Sequence, residues 1–301
     1  MAAMKKTPTK SETKLGQKEI TSSVISLERR PQLDIKLDVK FDILQQILQR
    51  IQNPPKGGLS RLAVFDLDST LFDVSPRLQR VLEDFAKDPS HQKMFPEVIS
   101  FFQGIQTHQT DWGVSHALKR AGLEQASPKF QETLRDFWRR TFFSNEYLHH
   151  DVPFEGAVEF VNALSASGVE IIYLTGRDEH RMGLGSPEVL RKWNFPLDGK
   201  KDHLVLKPHR GMDDAEFKRD WFVDLNKANY EVIWFFENEP VNIHLIRDDV
   251  PEIDIIFFDS THSGRAPEPE NLPRIKHFVI ESYPTELLKT PSRGPSTKGG
   301  E

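Results

Sequence analysis

Five short apolar runs divide the chain: LAVFDL (62–67), EIIYLT (170–175), HLVLK (203–207), EVIWFFE (231–237) and IDIIFFD (253–259). Each has strand length, and each is rich in Ile, Val, Leu or Phe at continuous rather than alternating positions. Such runs are covered on both faces, as the strands of a parallel sheet are. Helical spacing takes over between them. In FEGAVEFVNALSASG (154–168), Ala157, Phe160, Val161 and Leu164 share one face, and Gly168 is placed to end the helix. SPEVLRKWNF (186–195) sets a capping Ser before a Pro at the first helical position, and DAEFKRDWFVDL (214–225) is helical in pattern. Alternating strands and helices predict an α/β fold, a parallel sheet flanked by helices.

The interval 74–150 breaks this alternation. It has no convincing strand, and four helices are expected over 75–87, 95–105, 112–122 and 127–143, two of them opening on Ser-Pro. About 75 residues of helix directly after the first strand exceed an ordinary connection. They are expected to form a separate, all-helical cap domain. In the last of these helices Arg135 and Arg139 lie four apart beside Trp138; the expected arrangement buries Phe and Trp and exposes the arginines.

Ahead of the first strand, Ile43, Leu44, Ile47, Leu48 and Ile51 form a helical stripe stopped by Pro54 and Pro55, expected to dock on its own domain. Residues 1–32 read as a disordered basic tail and 286–301 as a disordered Pro/Gly/Ser-rich one. The catalytic core is expected to comprise 33–73 and 151–285.

Charge and composition narrow the function classes. The chain of 301 residues has a net charge of −5, and its basic first 19 residues carry five Lys against two Glu, leaving a mildly acidic body. That argues against a binder of nucleic-acid phosphates without excluding it. Cysteine is absent, so disulfides, thiolate metal sites and a cysteine nucleophile are excluded, and a reducing cytoplasm is expected. No apolar run reaches the roughly 18 residues of a membrane span, and no signal peptide is recognisable. The pattern does not define an oligomeric state.

Ligands of parallel α/β sheets gather at the carboxyl ends of the strands. The first run ends in Asp66, Asp68, Ser69 and Thr70, and the second in Thr175, Gly176, Arg177 and Asp178. Lys207 closes the third, with Asp213, Asp214 and Lys218 shortly after; Glu237, Asn238, Glu239 and Asn242 follow the fourth, and Asp259 ends the fifth. Carboxylates converging on one edge repel one another unless a cation sits among them. Oxygen ligands suit Mg²⁺, which keeps waters that a phosphate can replace. A lysine and a threonine hydroxyl beside such an ion are what a phosphoryl group needs.

In order, FDLDST, YLTGR, a downstream lysine and FFENEP resemble the four motifs of the haloacid dehalogenase superfamily, in its aspartate-nucleophile phosphatase branch. The helical insert falls where that family places its C1-type cap. The resemblance implies a Rossmann-like core and Mg²⁺-dependent hydrolysis of a small phosphomonoester. It casts Asp66 as nucleophile and metal ligand, and Asp68 as general acid and then base, with a backbone carbonyl on the metal. Thr175 would hold a phosphoryl oxygen, a lysine would neutralise Asp66, and Glu237 would take the acidic metal position. Substrate contacts are expected from Thr175, Gly176, Arg177 and Lys207. Both Lys207 and Lys218 qualify as the motif lysine, and the start-of-helix setting of Lys218 favours it. Two other readings are a nucleotide or nucleic-acid 3′-phosphatase, which the acidic balance disfavours, and a non-catalytic binding protein of the same fold.

Overall fold

The computed structural model describes residues 42–102 and 104–280. The expected disordered tails fall outside these residues, apart from any description of their form.

The chain enters through helix α1 (Ile43–Ile51), capped by the Asp42 carboxylate, which accepts from the Gln45 amide at 2.8 Å. Its stripe Leu44, Ile47, Leu48 and Ile51 is buried in the main core. It docks on its own domain, as the spacing predicts. Burying each of these side chains contributes about 1.5–3 kcal/mol before chain entropy is subtracted. Strand β1 (Ser60–Phe65) follows, then two short strands that pair antiparallel, β2 (Phe72–Asp73) and β3 (Val152–Pro153). Between β2 and β3 lie helices α2 (Ser75–Lys87), α3 (Pro89–Met94), α4 (Pro96–Phe102), α5 (Gly113–Arg120) and α6 (Pro128–Thr141). This insertion has its own hydrophobic cluster, centred on Val81, Phe85, Ala117, Phe130 and Leu134.

After the insertion the alternation resumes: α7 (Ala157–Ala166), β4 (Glu170–Asp178), α8 (Glu179–Met182), α9 (Gly185–Lys192), β5 (Asp202–Lys207), α10 (Asp214–Asp224), β6 (Tyr230–Glu237), α11 (Pro240–Asp249), β7 (Asp254–Phe258) and β8 (Arg274–Ile275). The six-stranded sheet has the order β5-β4-β1-β6-β7-β8 and is parallel at every pairing. Both faces are buried, which is why the strands read as continuous apolar runs. In β1, Ala63 and Phe65 pack with α1 and α7, while Leu62 and Val64 pack with residues of α10 and α11. This is a three-layer, Rossmann-like α/β fold.

Several elements escape the sequence pattern: α3, α8, α11 and the two-residue strands β2, β3 and β8. The short ones hold too few periodic positions to stand out, and the ten-residue α11 buries Pro240 and Asn242 beside only Ile243 and Ile246. The Ser-Pro signal also needs correction at Ser186, the site where a capping serine was expected, while the bounds 75–87 hold. Ser127 accepts from the Phe130 amide at 3.3 Å as a true cap. Helix α9 instead begins at Gly185 with Leu184 in the cap position, so Ser186 lies inside the helix, and α2 begins on Ser75 itself with Val74 before it. Gly156 marks where the chain re-enters the core: its φ is +78°, and a Cβ there would lie 2.5 Å from the Phe278 backbone. No described helix is long and apolar enough to cross a membrane.

Candidate active site

The strand order reverses at β1, which has β4 on one side and β6 on the other. Such a switch point opens a crevice beyond the carboxyl ends of the strands. The crevice here is a cavity of about 260 Å³ whose lining includes Asp66, Asp68, Thr175, Gly176, Arg177, Lys218 and Glu237. Residues spread over 172 positions of sequence thus meet through the sheet register alone: Phe65 is paired with Tyr173 on one side and with Phe236 on the other.

The turn after β1 shapes the first motif. The Leu67 carbonyl accepts from the amides of Thr70, Leu71 and Phe72, and Ser69 adopts φ +64°. A non-glycine residue in this region costs roughly 1–3 kcal/mol and persists only where its surroundings impose it. Here the Ser69 amide donates to the Phe72 carbonyl at 2.8 Å, and the Ser69 carbonyl accepts from Ser260 Oγ at 2.5 Å. Thr70 Oγ1 donates to Asn238 Oδ1 at 3.1 Å, tying the turn to the end of β6.

Lys218, from the first turns of α10, reaches between two acids. Its Nζ lies 2.6 Å from Asp66 Oδ1 and 2.7 Å from Glu237 Oε2. All three are buried: Asp66 is 5% exposed, Lys218 2% and Glu237 0%. Burial pushes the Asp66 carboxyl up, Lys218 pulls it down and Glu237 raises it again, leaving it at about 7. Burial disfavours the Lys218 ammonium, but Asp66 and Glu237 outweigh that and hold its pKa above the usual lysine value. Glu237 uses both oxygens. Oε1 accepts from the amides of Asn238 and Glu239 at 2.8 and 2.9 Å, and Oε2 accepts from Lys218 and from Asn242 Nδ2 at 3.0 Å.

Lys207 stands elsewhere. Its ammonium pairs with Asp214 and donates to the Met212 carbonyl at 2.9 Å, and it is not part of the cavity lining. The geometry therefore sets Lys218, not Lys207, against Asp66. At Gly176 a Cβ would come within 2.8 Å of the Asp214 carboxylate, which would have to shift. Thr175 Oγ1 accepts from the Arg177 amide at 3.2 Å, and the side chain lines the cavity.

Asp68 is placed differently from Asp66. Its Oδ1 accepts from Arg77 Nη2 at 2.8 Å, from Arg177 Nε at 3.0 Å and from Arg177 Nη2, while its side chain keeps 30% exposure. Burial works to raise its pKa, but Arg177 and then Arg77 outweigh that and hold the carboxyl well below the ordinary aspartate value. The sequence led us to expect an Asp68 free to carry a proton. Two guanidiniums instead favour its ionised form, and they do so through one oxygen only.

Arg77 and Asp151 were invisible to motif reasoning, although both are fully buried. Arg77 Nε and Nη2 grip the two Asp151 oxygens at 2.7 and 3.0 Å, its Nη1 donates to the Phe142 carbonyl at 3.2 Å, and Arg177 Nη2 reaches Asp151 Oδ2 at 2.7 Å. Arg177 is thus neither a surface ion pair nor a loose side chain. One signal was available: Arg77 shares a helical face with Val81 and Phe85, and an arginine on an apolar stripe needs a buried partner. Replacing Arg77 by Met strands one buried carboxylate with a single guanidinium. Arg77→Met is expected to lower unfolding free energy by about 3 kcal/mol in urea titration. Adding Asp151→Asn is expected to restore part of that loss; a single variant as stable as wild type would contradict the pairing.

The Rossmann-like sheet thus carries acids and a buried lysine at its switch point. The sequence model of the haloacid dehalogenase-like hydrolases matches residues 61–203, which run from β1 into β5. Over that segment, just under half of its length, the chain is similar to this family of hydrolases. Lys218 and Glu237 lie beyond the matched residues. No curated protein matches the chain in sequence. Among solved structures, a haloacid dehalogenase-superfamily hydrolase of subfamily IA from Geobacter sulfurreducens is 12% identical, with a TM-score of 0.43 over 74% of this chain and 94% of that one. The putative hydrolase YfnB from Bacillus subtilis, bound to magnesium, is 14% identical, with a TM-score of 0.42 over 73% and 95%. CbbY from Rhodobacter sphaeroides, in complex with phosphate, is 12% identical, with a TM-score of 0.42 over 73% and 95%.

Proposed function

We propose that the chain is a Mg²⁺-dependent phosphatase that hydrolyses a small phosphomonoester through an aspartyl-phosphate on Asp66. The observation that carries this reading is the single ammonium of Lys218 held between Asp66 and Glu237 in the lining of a cavity that Thr175 also lines. A cation at that point neutralises a carboxylate nucleophile as it approaches an anionic phosphoryl group.

In the first step an Asp66 oxygen attacks phosphorus, and the bond from phosphorus to the alcohol oxygen breaks. The electron pair leaves on that oxygen, which takes a proton from Asp68. In the second step water attacks the aspartyl-phosphate and gives its proton to the Asp68 carboxylate. The Asp66–phosphorus bond breaks, releasing inorganic phosphate and restoring Asp66. Anchoring one Asp68 oxygen on Arg77 and Arg177 leaves the other to exchange protons in both steps. The two arginines favour the carboxylate, which suits the base half of the cycle. Thr175 holds a phosphoryl oxygen, with Gly176 allowing the close packing of Asp214 beneath it. In this reading residues 74–150 are the cap over the site, and 33–73 with 151–285 are the core.

The donor set can be tested against Mg²⁺. Among the described residues no three His, Cys, Asp or Glu side chains are placed to share an ion. The oxygens present are nonetheless hard donors of the kind Mg²⁺ takes, and that ion uses only one or two carboxylates and keeps several waters. Asp66 and the Asp68 carbonyl fit as direct ligands. The four acceptor positions of Glu237 are filled by two amides, Lys218 and Asn242, so as placed it would serve the ion through its charge, and a metal-bound water would need another acceptor. Asn242 Oδ1, buried and without a partner among the described residues, is an oxygen that such a water can satisfy. When bound, Mg²⁺ supplies charge to stabilise the phosphoryl oxygens.

Phosphate release from a panel of phosphomonoesters tests the reading. EDTA is expected to abolish it and added Mg²⁺ to restore it; release that persists at full rate in EDTA would refute the metal requirement. No release from any ester with Mg²⁺ present would favour the binding-protein reading. The lack of cysteine supports a cytoplasmic setting.

A further inference from the structure

We propose that the alcohol half of the substrate carries a planar aromatic ring, which lies against Trp112 and Trp138 of the insertion. This rests on the phosphomonoesterase reading and names the class of ester.

The floor of the cavity is charged, but the wall contributed by the insertion is apolar. It consists of Val74, Trp112, Gly113, Trp138, Phe142 and Phe143, together with Asp111. Asp111 is committed: its oxygens accept from Arg120 Nε and Nη2 at 3.2 and 2.8 Å, and from the His108 amide at 2.8 Å. The insertion therefore offers the cavity no uncommitted carboxylate, amide or hydroxyl for the hydroxyls of a sugar or polyol. Leaving such hydroxyls unpaired on an apolar wall costs roughly 1–3 kcal/mol each.

The wall is instead built for a flat apolar group. Trp138, Phe142 and Phe143 form one cluster, with ring centroids 5.1–5.6 Å apart. Gly113 brings the chain close beside the Trp138 indole, where a Cβ would sit 3.5 Å from it. Trp112, next in sequence, is 47% exposed, and its indole makes no hydrogen bond or ring contact among the described residues. An exposed indole at the lip of a catalytic cavity is ready to stack on a ligand ring. Trp138 Nε1 is a buried donor without a partner among the described residues.

Benzyl phosphate and glycerol 3-phosphate both release primary alcohols, so comparing them isolates recognition from leaving-group chemistry. The kcat/KM for benzyl phosphate is expected to exceed that for glycerol 3-phosphate by about tenfold or more. Trp112→Ala is expected to bring the ratio toward one, and Trp112→Phe to restore most of it. Equal kcat/KM values in the wild type, or a ratio indifferent to Trp112→Ala, would overturn the proposal. A second arm separates it from the phosphatase reading. Benzylphosphonate and methylphosphonate cannot be hydrolysed at their P–C bonds, and calorimetry reads their affinities directly. If these esters and every other ester of the panel release no phosphate, the phosphatase reading fails. Tighter benzylphosphonate binding that is lost in Trp112→Ala would still support the aromatic wall, and equal affinities would sink it.

Discussion

Asp66→Asn is expected to lose phosphate release by roughly 10⁴-fold or more while keeping the fold. The amide has the size of the carboxylate but cannot attack phosphorus. Structurally the change is mild. Lys218 keeps its contact with Glu237 at 2.7 Å, and the buried trio changes from a net charge of −1 to neutral. Burial already pushes the Asp66 carboxyl to about 7, so the ionised side chain is costly to bury, and the variant is expected to melt at or above the wild-type temperature. The pH dependence has a definite sign. A carboxyl whose folded pKa is raised binds more protons folded than unfolded, so its contribution is full below 3.8 and is lost as pH rises to about 7. Without divalent cation, wild-type stability is expected to fall over that interval more steeply than that of Asp66→Asn. Matching slopes would contradict the assignment, and a variant that still turns over would exclude Asp66 as nucleophile. A beryllofluoride adduct on Asp66 in the wild type is the direct check of the covalent step.

Removing the lysine is the second large effect. Lys218→Met leaves Asp66 and Glu237 facing each other while buried, each deprived of the ammonium 2.6 and 2.7 Å away. Breaking a buried ion pair at one partner costs about 3–5 kcal/mol, because the stranded charge keeps its desolvation penalty. The melting temperature is expected to fall by roughly 10 °C, and turnover by at least about 10³-fold. Adding Glu237→Gln is expected to recover part of the stability but none of the activity. Lys207→Met supplies the contrast. Its partner Asp214 is half exposed, and Lys207 itself lies outside the cavity lining, so turnover is expected to stay within about tenfold of wild type. If Lys207→Met were the more damaging change for catalysis, the roles drawn from the geometry would be reversed.

Both effects concern residues that the sequence brings to notice, but for unequal reasons. Asp66 ends an apolar run of strand length, so its position at the edge of a sheet follows from pattern alone. Glu237 and Thr175 are found in the same way, each at the end of its own run. Lys218 has no such marker. It sits one residue after Phe217 in a helix whose buried positions are Ala215, Phe217, Lys218 and Phe222, a face that shows no simple stripe. Its start-of-helix setting favours it over Lys207 in the sequence, and the contact of its Nζ with Asp66 at 2.6 Å agrees with that choice. Arg77 and Asp151 went further unnoticed, because a buried ion pair linking positions 74 residues apart leaves only an arginine on an apolar helix face.

The alternation of apolar runs and helical spacing determined, without coordinates, that the chain builds a parallel α/β sheet with a helical insertion after its first strand. Continuous apolarity has that meaning because a strand buried on both faces has no polar side to show. The same pattern determined that acids and a threonine stand at the strand ends. Only the tertiary structure decided how those ends meet. Strand order is set by packing between segments far apart in sequence, and that order put β4 and β6 on either side of β1. It also decided the electrostatics of the two aspartates, since burial and the charges around each side chain exist only once the fold has formed. Asp66 shares an ammonium with Glu237, while Asp68, two residues later, is held by two arginines that bring together the sheet and the insertion.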